Sequence, residues 1–124
     1  ASITAQRFAG RKVVTASIDQ MHFIVPIQLG NVVILKACVN SAHRTSMEIG
    51  VRVEREDVLT GENEHAATAY LTFVAMDEEM NPTEVPSLTP SNADEIRRAE
   101  EASMRRESRL LHRKSLLAQR RTST

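Results

Sequence analysis

Apolar and polar residues alternate most strictly in the middle of the chain. Met47, Ile49, Val51 and Val53 fall on one side; Ser46, Glu48, Gly50, Arg52 and Glu54 fall on the other. Period two predicts a half-buried antiparallel strand. A second alternation runs over residues 65–76, with Ala67, Ala69, Leu71, Phe73 and Ala75 set against Thr68, Tyr70 and Thr72. Thr60, Gly61, Glu62 and Asn63 form a loop between the two strands. Upstream, residues 12–25 are rich in β-branched and apolar types, which predicts a strand ended by Pro26. Gly30 and Asn31 mark a turn, a strand follows through Val39, and His43 with Arg44 is a candidate turn. Residues 1–9 are good helix formers, with Gly10 suited to the C′ position and Arg7, Arg11 and Lys12 placed to complement the helix dipole. The pattern predicts one short helix followed by four strands, each joined to the next by a short turn.

Beyond Met76 the pattern changes. Residues 81–90 hold Pro82, Pro86 and Pro90 and read as an extended linker. Ser91 with Asp94 three residues on resembles a capping box. A helix is predicted from 93 to about 119, a stretch free of Gly and Pro. Its apolar stripe is thin: Ile96, Ala99, Ala102, Leu110, Leu111, Leu116 and Leu117. Such a helix docks through its leucines or frays at its end.

Composition sharpens this picture. At 124 residues, 41% of them apolar, the chain suffices for one domain with a real core and is not a disordered polymer. With no Trp, one Tyr and three Phe, that core must be aliphatic. Formal net charge is zero, which argues against a surface wholly devoted to nucleic acid or membrane. The neutrality is an average: residues 1–86 carry 7 basic and 11 acidic residues, a balance of −4, and residues 87–124 carry 9 and 5, a balance of +4. No apolar run approaches the ~18–20 residues of a membrane span. No signal-peptide pattern opens the chain, so a cytoplasmic location is expected. The first residue is Ala1, which implies a processed start or part of a longer chain.

Several chemistries are excluded. A single cysteine, Cys38, rules out an internal disulfide and a multi-thiolate zinc site, and its strand setting predicts a small buried residue. His22, His43, His65 and His112 include no pair at i,i+3 or i,i+4, so no local metal motif exists. There is no G-x-S-x-G elbow, P-loop or G-x-G-x-x-G. Asp19 has no sequence partner and reads as structural. The arginine-rich helix lacks aromatic residues for base stacking, and its interspersed glutamates predict a solvated, salt-bridged helix.

Three stretches together resemble a known family. They are residues 11–19 (Arg11, Lys12, Val13, Val14, Thr15, Ala16, Ser17, Ile18, Asp19) with Phe23, Pro26 and Gly30; residues 41–49 (Ser41, Ala42, His43, Arg44, Thr45, Ser46, Met47, Glu48, Ile49); and Ala75, Met76, Asp77 and Glu78 running to Val85, Pro86 and the arginine-rich helix. In order and spacing they resemble the hotdog-fold acyl-CoA thioesterases, in particular the cytosolic acyl-CoA hydrolases. The resemblance implies an α+β fold: an antiparallel sheet wrapped around a central helix in residues 1–86, with a linker and basic C-terminal helix in 87–124. It implies hydrolysis of fatty acyl-CoA to free acid and coenzyme A, by a carboxylate aided by backbone N–H groups at the central helix N-terminus. Coenzyme A is part of substrate and product, so neither cofactor nor metal is implied. A homodimer is implied, with further assembly to a hexamer. By the same resemblance the catalytic acid and oxyanion turn lie before Ala1, so no catalytic residue is assigned within this chain. Arg44, Thr45 and Ser46 match a turn-and-strand segment near the coenzyme A groove. Arg11 and Lys12 match a basic corner near the nucleotide phosphates, and Val14 and Thr15 open the neighbouring strand. Two other readings stand beside this one: an acyl-CoA-binding module without turnover, and an interaction protein acting through helix 91–121.

Overall fold

A computed structural model describes residues 1–122. Its elements are α1 (Ser2–Ala9), β1 (Lys12–Ile18), β2 (Val32–His43), β3 (Ser46–Glu56), β4 (Asn63–Met76) and α2 (Ala93–Thr122). The strands form one antiparallel sheet in the order β1-β4-β3-β2, an α+β arrangement. Two compact units are present, Ala1–Leu88 and a second that begins at Thr89 and holds α2.

The sequence pattern overstates the first strand and misjudges its connection. β1 ends at Ile18, and residues 19–31 then carry the chain from one sheet edge to the other. Within that crossing Phe23 keeps only an isolated bridge to Ala67, and Ile24 N–H donates to the Ala66 carbonyl at 2.7 Å. The Pro26 carbonyl accepts from the Arg55 guanidinium. The crossing does not extend the ladder: Ile27 packs against the core, Met21, Phe23, Ile24 and Leu29 are exposed, and Gly30 adopts φ 95°, a conformation closed to most L residues. The β2–β3 hairpin turns on Arg44 and Thr45, one residue later than expected, because His43 pairs with Ser46.

The core lies on the α1 side of the sheet. Met47, Ile49, Val51 and Val53 of β3 meet Ala67, Ala69, Phe73 and Ala75 of β4, with Ala5 of α1 packed against them. Phe8 and Ala9, three and four residues after Ala5, complete the apolar side of α1. Gly10 ends the helix in the left-handed region, its N–H donating to the Gln6 carbonyl at 2.8 Å.

The opposite side of β3 departs from expectation. Alternation predicted a solvated polar side, yet Glu48 is 1% exposed and Gly50 and Glu54 are buried. A Cβ on Gly50 would stand 2.5 Å from Nδ2 of Asn40, the buried residue at the β2 register shift. Glu54 Oε1 accepts from Lys36 Nζ at 3.1 Å and from Arg52 Nε at 3.2 Å. The Lys36 ammonium, with Arg52 beside it, holds the Glu54 carboxyl below its ordinary range against the opposing effect of burial.

Three further expectations are corrected. Cys38 is exposed on the edge strand, its thiol donating to Asn40 Oδ1 at 3.4 Å. The cap of α2 is shifted by one residue: Asn92 Oδ1 accepts from Glu95 N–H at 2.9 Å, while Glu95 accepts from Ser91 N–H and Oγ at 2.7 Å each. The two Ser91 donors lower the Glu95 carboxyl from its ordinary value. The leucines expected to seat α2 are exposed instead: Leu110 46%, Leu111 70%, Leu116 49% and Leu117 47%.

Ile49→Ala is expected to lower the unfolding free energy by about 2–5 kcal/mol. Leu35→Ala, at a residue 65% exposed, is expected to change it by less than about 0.5 kcal/mol in urea titrations. Glu54 stabilises the fold above its ordinary titration near 4.5, and that contribution disappears as pH falls through its lowered value. Urea midpoints followed into the acid range are therefore expected to fall less steeply in Glu54→Gln than in the parent chain; equal slopes would count against the assignment.

Candidate functional site

Strand register brings residues distant in sequence to one end of the sheet. Ser46 pairs with both His43 and Val74, and Val74 pairs with Val14, so one row crosses all four strands. The next row is Ala42, Met47, Phe73 and Thr15. In the row outward, Val13 pairs with Ala75, whose N–H donates to the Thr45 carbonyl at 3.0 Å, and Lys12 pairs with Met76 beyond it. All seven residues expected at a binding site therefore lie at this end. Ser46 and Val14 stand two strand spacings apart, roughly 10 Å.

Residues 82–85, expected as part of a linker, brace this end. Pro82 bridges Met76, Thr83 N–H donates to the Ala75 carbonyl, and Val85 N–H donates to the Arg44 carbonyl, the last two at 2.9 Å. The Arg44 carbonyl is engaged by Val85 and the Thr45 carbonyl by Ala75 of β4, so the turn backbone is fixed while the Arg44 side chain stays exposed. Thr45 and Ser46 are half-buried, as is Val14; Arg11, Lys12 and Thr15 are exposed. The end thus carries three cations, Arg11, Lys12 and Arg44, and the hydroxyls of Thr45 and Ser46, while Thr15 shares the Met47–Phe73 row and so faces the other side of the sheet from Ser46. Its acidic neighbour is the Asp77 turn, where Oδ1 accepts from Glu79 and Asn81 N–H at 2.9 Å each and Met80 adopts φ 63°. Cations and hydroxyls in this arrangement suit phosphate oxygens and amide groups.

One row inward lies a set of polar residues that sequence reasoning missed. Ser41, Glu48, Thr72 and Ser17 are register partners across the four strands, and Ser41 and Glu48 are buried. The Ser41 Oγ and Thr72 Oγ1 hydroxyls are buried without a hydrogen-bond partner among the described residues. Alternation identified which side of β3 carries Glu48. No sequence signal showed that this side is covered.

The four histidines lie on different segments, and His43 alone joins the Ser46 row. His22, His43, His65 and His112 occupy the crossing, β2, β4 and α2. His65 Nε2 contacts the Ala67 carbonyl at 3.0 Å and Thr68 Oγ1 at 2.7 Å, a local structural arrangement. Asp19 is half-buried, its N–H donating to the Tyr70 carbonyl at 3.0 Å. Among the described residues no group of three or more His, Cys, Asp and Glu could hold a metal ion.

Comparison with known proteins bears on this geometry. Residues 1–62 match the thioesterase superfamily. A Bacillus subtilis protein named as an uncharacterized acyl-CoA thioester hydrolase is 44% identical over 96 residues, covering 77% of this chain and 56% of its own length. The crystal structure of an apo-hexameric acyl-CoA thioesterase superposes with a TM-score of 0.84 at 39% identity, over 90% of this chain and 72% of that one. An acyl-CoA hydrolase from Staphylococcus aureus, solved with butyryl coenzyme A, coenzyme A and coenzyme A disulfide, gives a TM-score of 0.84 at 37% identity, over 95% and 74%. The chain spans less than two thirds of the length of the curated relatives it matches.

Thr72→Val removes a buried hydroxyl that the fold leaves unsatisfied and keeps its shape. It is expected to leave the thermal midpoint unchanged or to raise it, the gain not exceeding about 1–2 kcal/mol. A clear loss of stability would show that the hydroxyl has a partner in solution.

Proposed function

This chain belongs to the thioesterase superfamily, and on that footing we propose that it hydrolyses fatty acyl-CoA thioesters to free acid and coenzyme A. The observation that carries the proposal is the convergence of Arg11, Lys12, Val14 and Thr15 with Arg44, Thr45 and Ser46 at one sheet end. Support comes also from relatives named as acyl-CoA hydrolases, one of them solved with coenzyme A derivatives.

In this reading Arg11, Lys12 and Arg44 receive the phosphates of coenzyme A. Thr45 and Ser46 offer hydroxyls to its amide-bearing arm, and Val14 and Thr15 line the adjoining strand. Exposed cations suit this role, because a dianionic or monoanionic phosphate is bound at the surface and released after each turnover. Hydrolysis itself requires a carboxylate to activate water, and amide N–H groups to hold the oxyanion while the thiolate departs. None of the described residues is proposed as that carboxylate. No cofactor or metal is proposed, since the thioester supplies its own leaving group.

We further propose residues 1–86 as the hotdog domain, with 87–124 as linker and basic helix, in a homodimer that assembles further. The hexameric relative supports such assembly. A cytoplasmic location is part of the same reading; no described helix is long and apolar enough to cross a membrane.

Release of free thiol from acyl-CoA by the full-length protein tests the reaction. Thiol release is the expected outcome. Binding without release would favour an acyl-CoA-binding module, and neither binding nor release would overturn both. The double variant Lys12→Ala with Arg44→Ala is expected to weaken coenzyme A binding roughly 3- to 10-fold at low salt, with the difference shrinking as salt rises. Calorimetry at two ionic strengths measures it.

A further inference from the structure

Residues 77–85 carry no group assigned to coenzyme A, yet they form a small hairpin with the end of β4. Asp77 makes the bend. Its Oδ1 accepts from Glu79 and Asn81 N–H at 2.9 Å each, and its carbonyl accepts from Met80 N–H at 3.1 Å. Its own N–H donates to the Asn81 carbonyl at 2.9 Å. Met80 stands in the left-handed region at φ 63°, which few L residues adopt, so the bend depends on those bonds. The chain then returns as a strap: Pro82 bridges Met76, and Thr83 N–H donates to the Ala75 carbonyl at 2.9 Å. Ala75 N–H donates to the Thr45 carbonyl, and the N–H and C=O of one strand residue point to the same neighbour. The strap therefore lies beside β4 beyond the start of β3 at Ser46, where Val85 N–H reaches the Arg44 carbonyl at 2.9 Å.

The turn that the strap meets is not one that a two-residue hairpin favours. His43 pairs with Ser46, which leaves Arg44 and Thr45 as the loop. Such loops prefer the primed turn types, whose twist matches that of the strands and which need a positive φ at the first loop residue. Among the described residues only Met80 has a positive φ outside glycine, so Arg44 does not supply one. This turn takes its shape from outside, through Ala75 on the Thr45 carbonyl and Val85 on the Arg44 carbonyl. The peptide plane held by Val85 sets the direction in which the Arg44 side chain leaves the backbone.

We infer that the strap is a positioning device for phosphate binding, with Asp77 and the Val85 N–H as its positioning groups. They act through Arg44, keeping its guanidinium on the same ligand as Arg11 and Lys12. This rests on the coenzyme A reading of the sheet end. Charge alone makes the opposite prediction for Asp77: removing a carboxylate near three cations would strengthen their hold on an anion.

Calorimetry of coenzyme A binding to the full-length protein tests the inference. Asp77→Ala is expected to weaken binding roughly 2- to 5-fold, the range of one exposed ion pair, and no more than Arg44→Ala does. Asp77→Asn removes the same charge but keeps the oxygen acceptor, and is expected to bind at least as tightly as the parent. In an Arg44→Ala background Asp77→Ala is expected to cause no further weakening, because the two changes remove one interaction. Val85→Pro deletes the N–H itself and is expected to match Asp77→Ala. Val85→Ala keeps the N–H and loses only packing, so it is expected to lower the thermal midpoint with little change in affinity. Circular dichroism shows which variants are folded; if one of Asp77→Ala and Val85→Pro is not, the other decides. Folded variants that bind as tightly as the parent overturn the inference. So does an equal loss in the Arg44→Ala background, which would mark a general loosening of the sheet end. A parent that fails to bind coenzyme A overturns the hydrolase reading and this inference with it, whereas unaltered variants beside a binding parent overturn this one alone.

Discussion

The register of β3 between β2 and β4 is the constraint on which the rest of the unit depends. Side chains alternate with period two, so a slip of one residue would send Met47, Ile49, Val51 and Val53 to the wrong side and place Glu48 against α1. Both outcomes are costly, because one side holds the aliphatic core and the other encloses a carboxylate. Here the second side is closed tightly enough that Asn40 lies over Gly50, where no side chain fits without a shift.

That register determines the site. Val14 and Ser46 are separated by 31 intervening residues, yet both are pairing partners of Val74. With β4 between them, the start of β1 and the β2–β3 turn are held at a fixed spacing by backbone hydrogen bonds rather than by side-chain contacts. The strand-like passage of residues 82–85 then engages the Arg44 carbonyl through Val85 N–H, while Ala75 N–H of β4 engages that of Thr45. The Arg44 side chain remains exposed while its backbone carbonyl is held by Val85.

Charge is divided along the chain to the same end. The β unit is acidic on balance, and its cations at the sheet end stand out against that background. The positive charge of the C-terminal part lies on one helix and ends in a stretch without acids.

Much was legible in the residues themselves. The alternation of β3 and β4 marked them as strands, because a pleated backbone forces that period wherever one side is buried. Gly10 marked the end of α1, the absence of Gly and Pro after Ala93 marked α2, and motif order led to the family. Other features were decided only by assembly. Whether the polar side of β3 faces water depends on what is packed over it, so Glu48, placed by alternation on the polar side of a half-buried strand, proved buried. The apolar run over 12–25 was read as one strand, since composition does not say where a pairing partner ends; β4 accompanies β1 only to Ile18. Cys38 was expected inside and lies outside, because strand order, which no local pattern encodes, makes β2 an edge. Local pattern fixes what each segment is suited to become, through backbone sterics and side-chain period. The choice of neighbours, and with it the meeting of Lys12, Val14 and Ser46 at one end of the sheet, rests on long-range hydrogen bonding and burial that exist only in the folded chain.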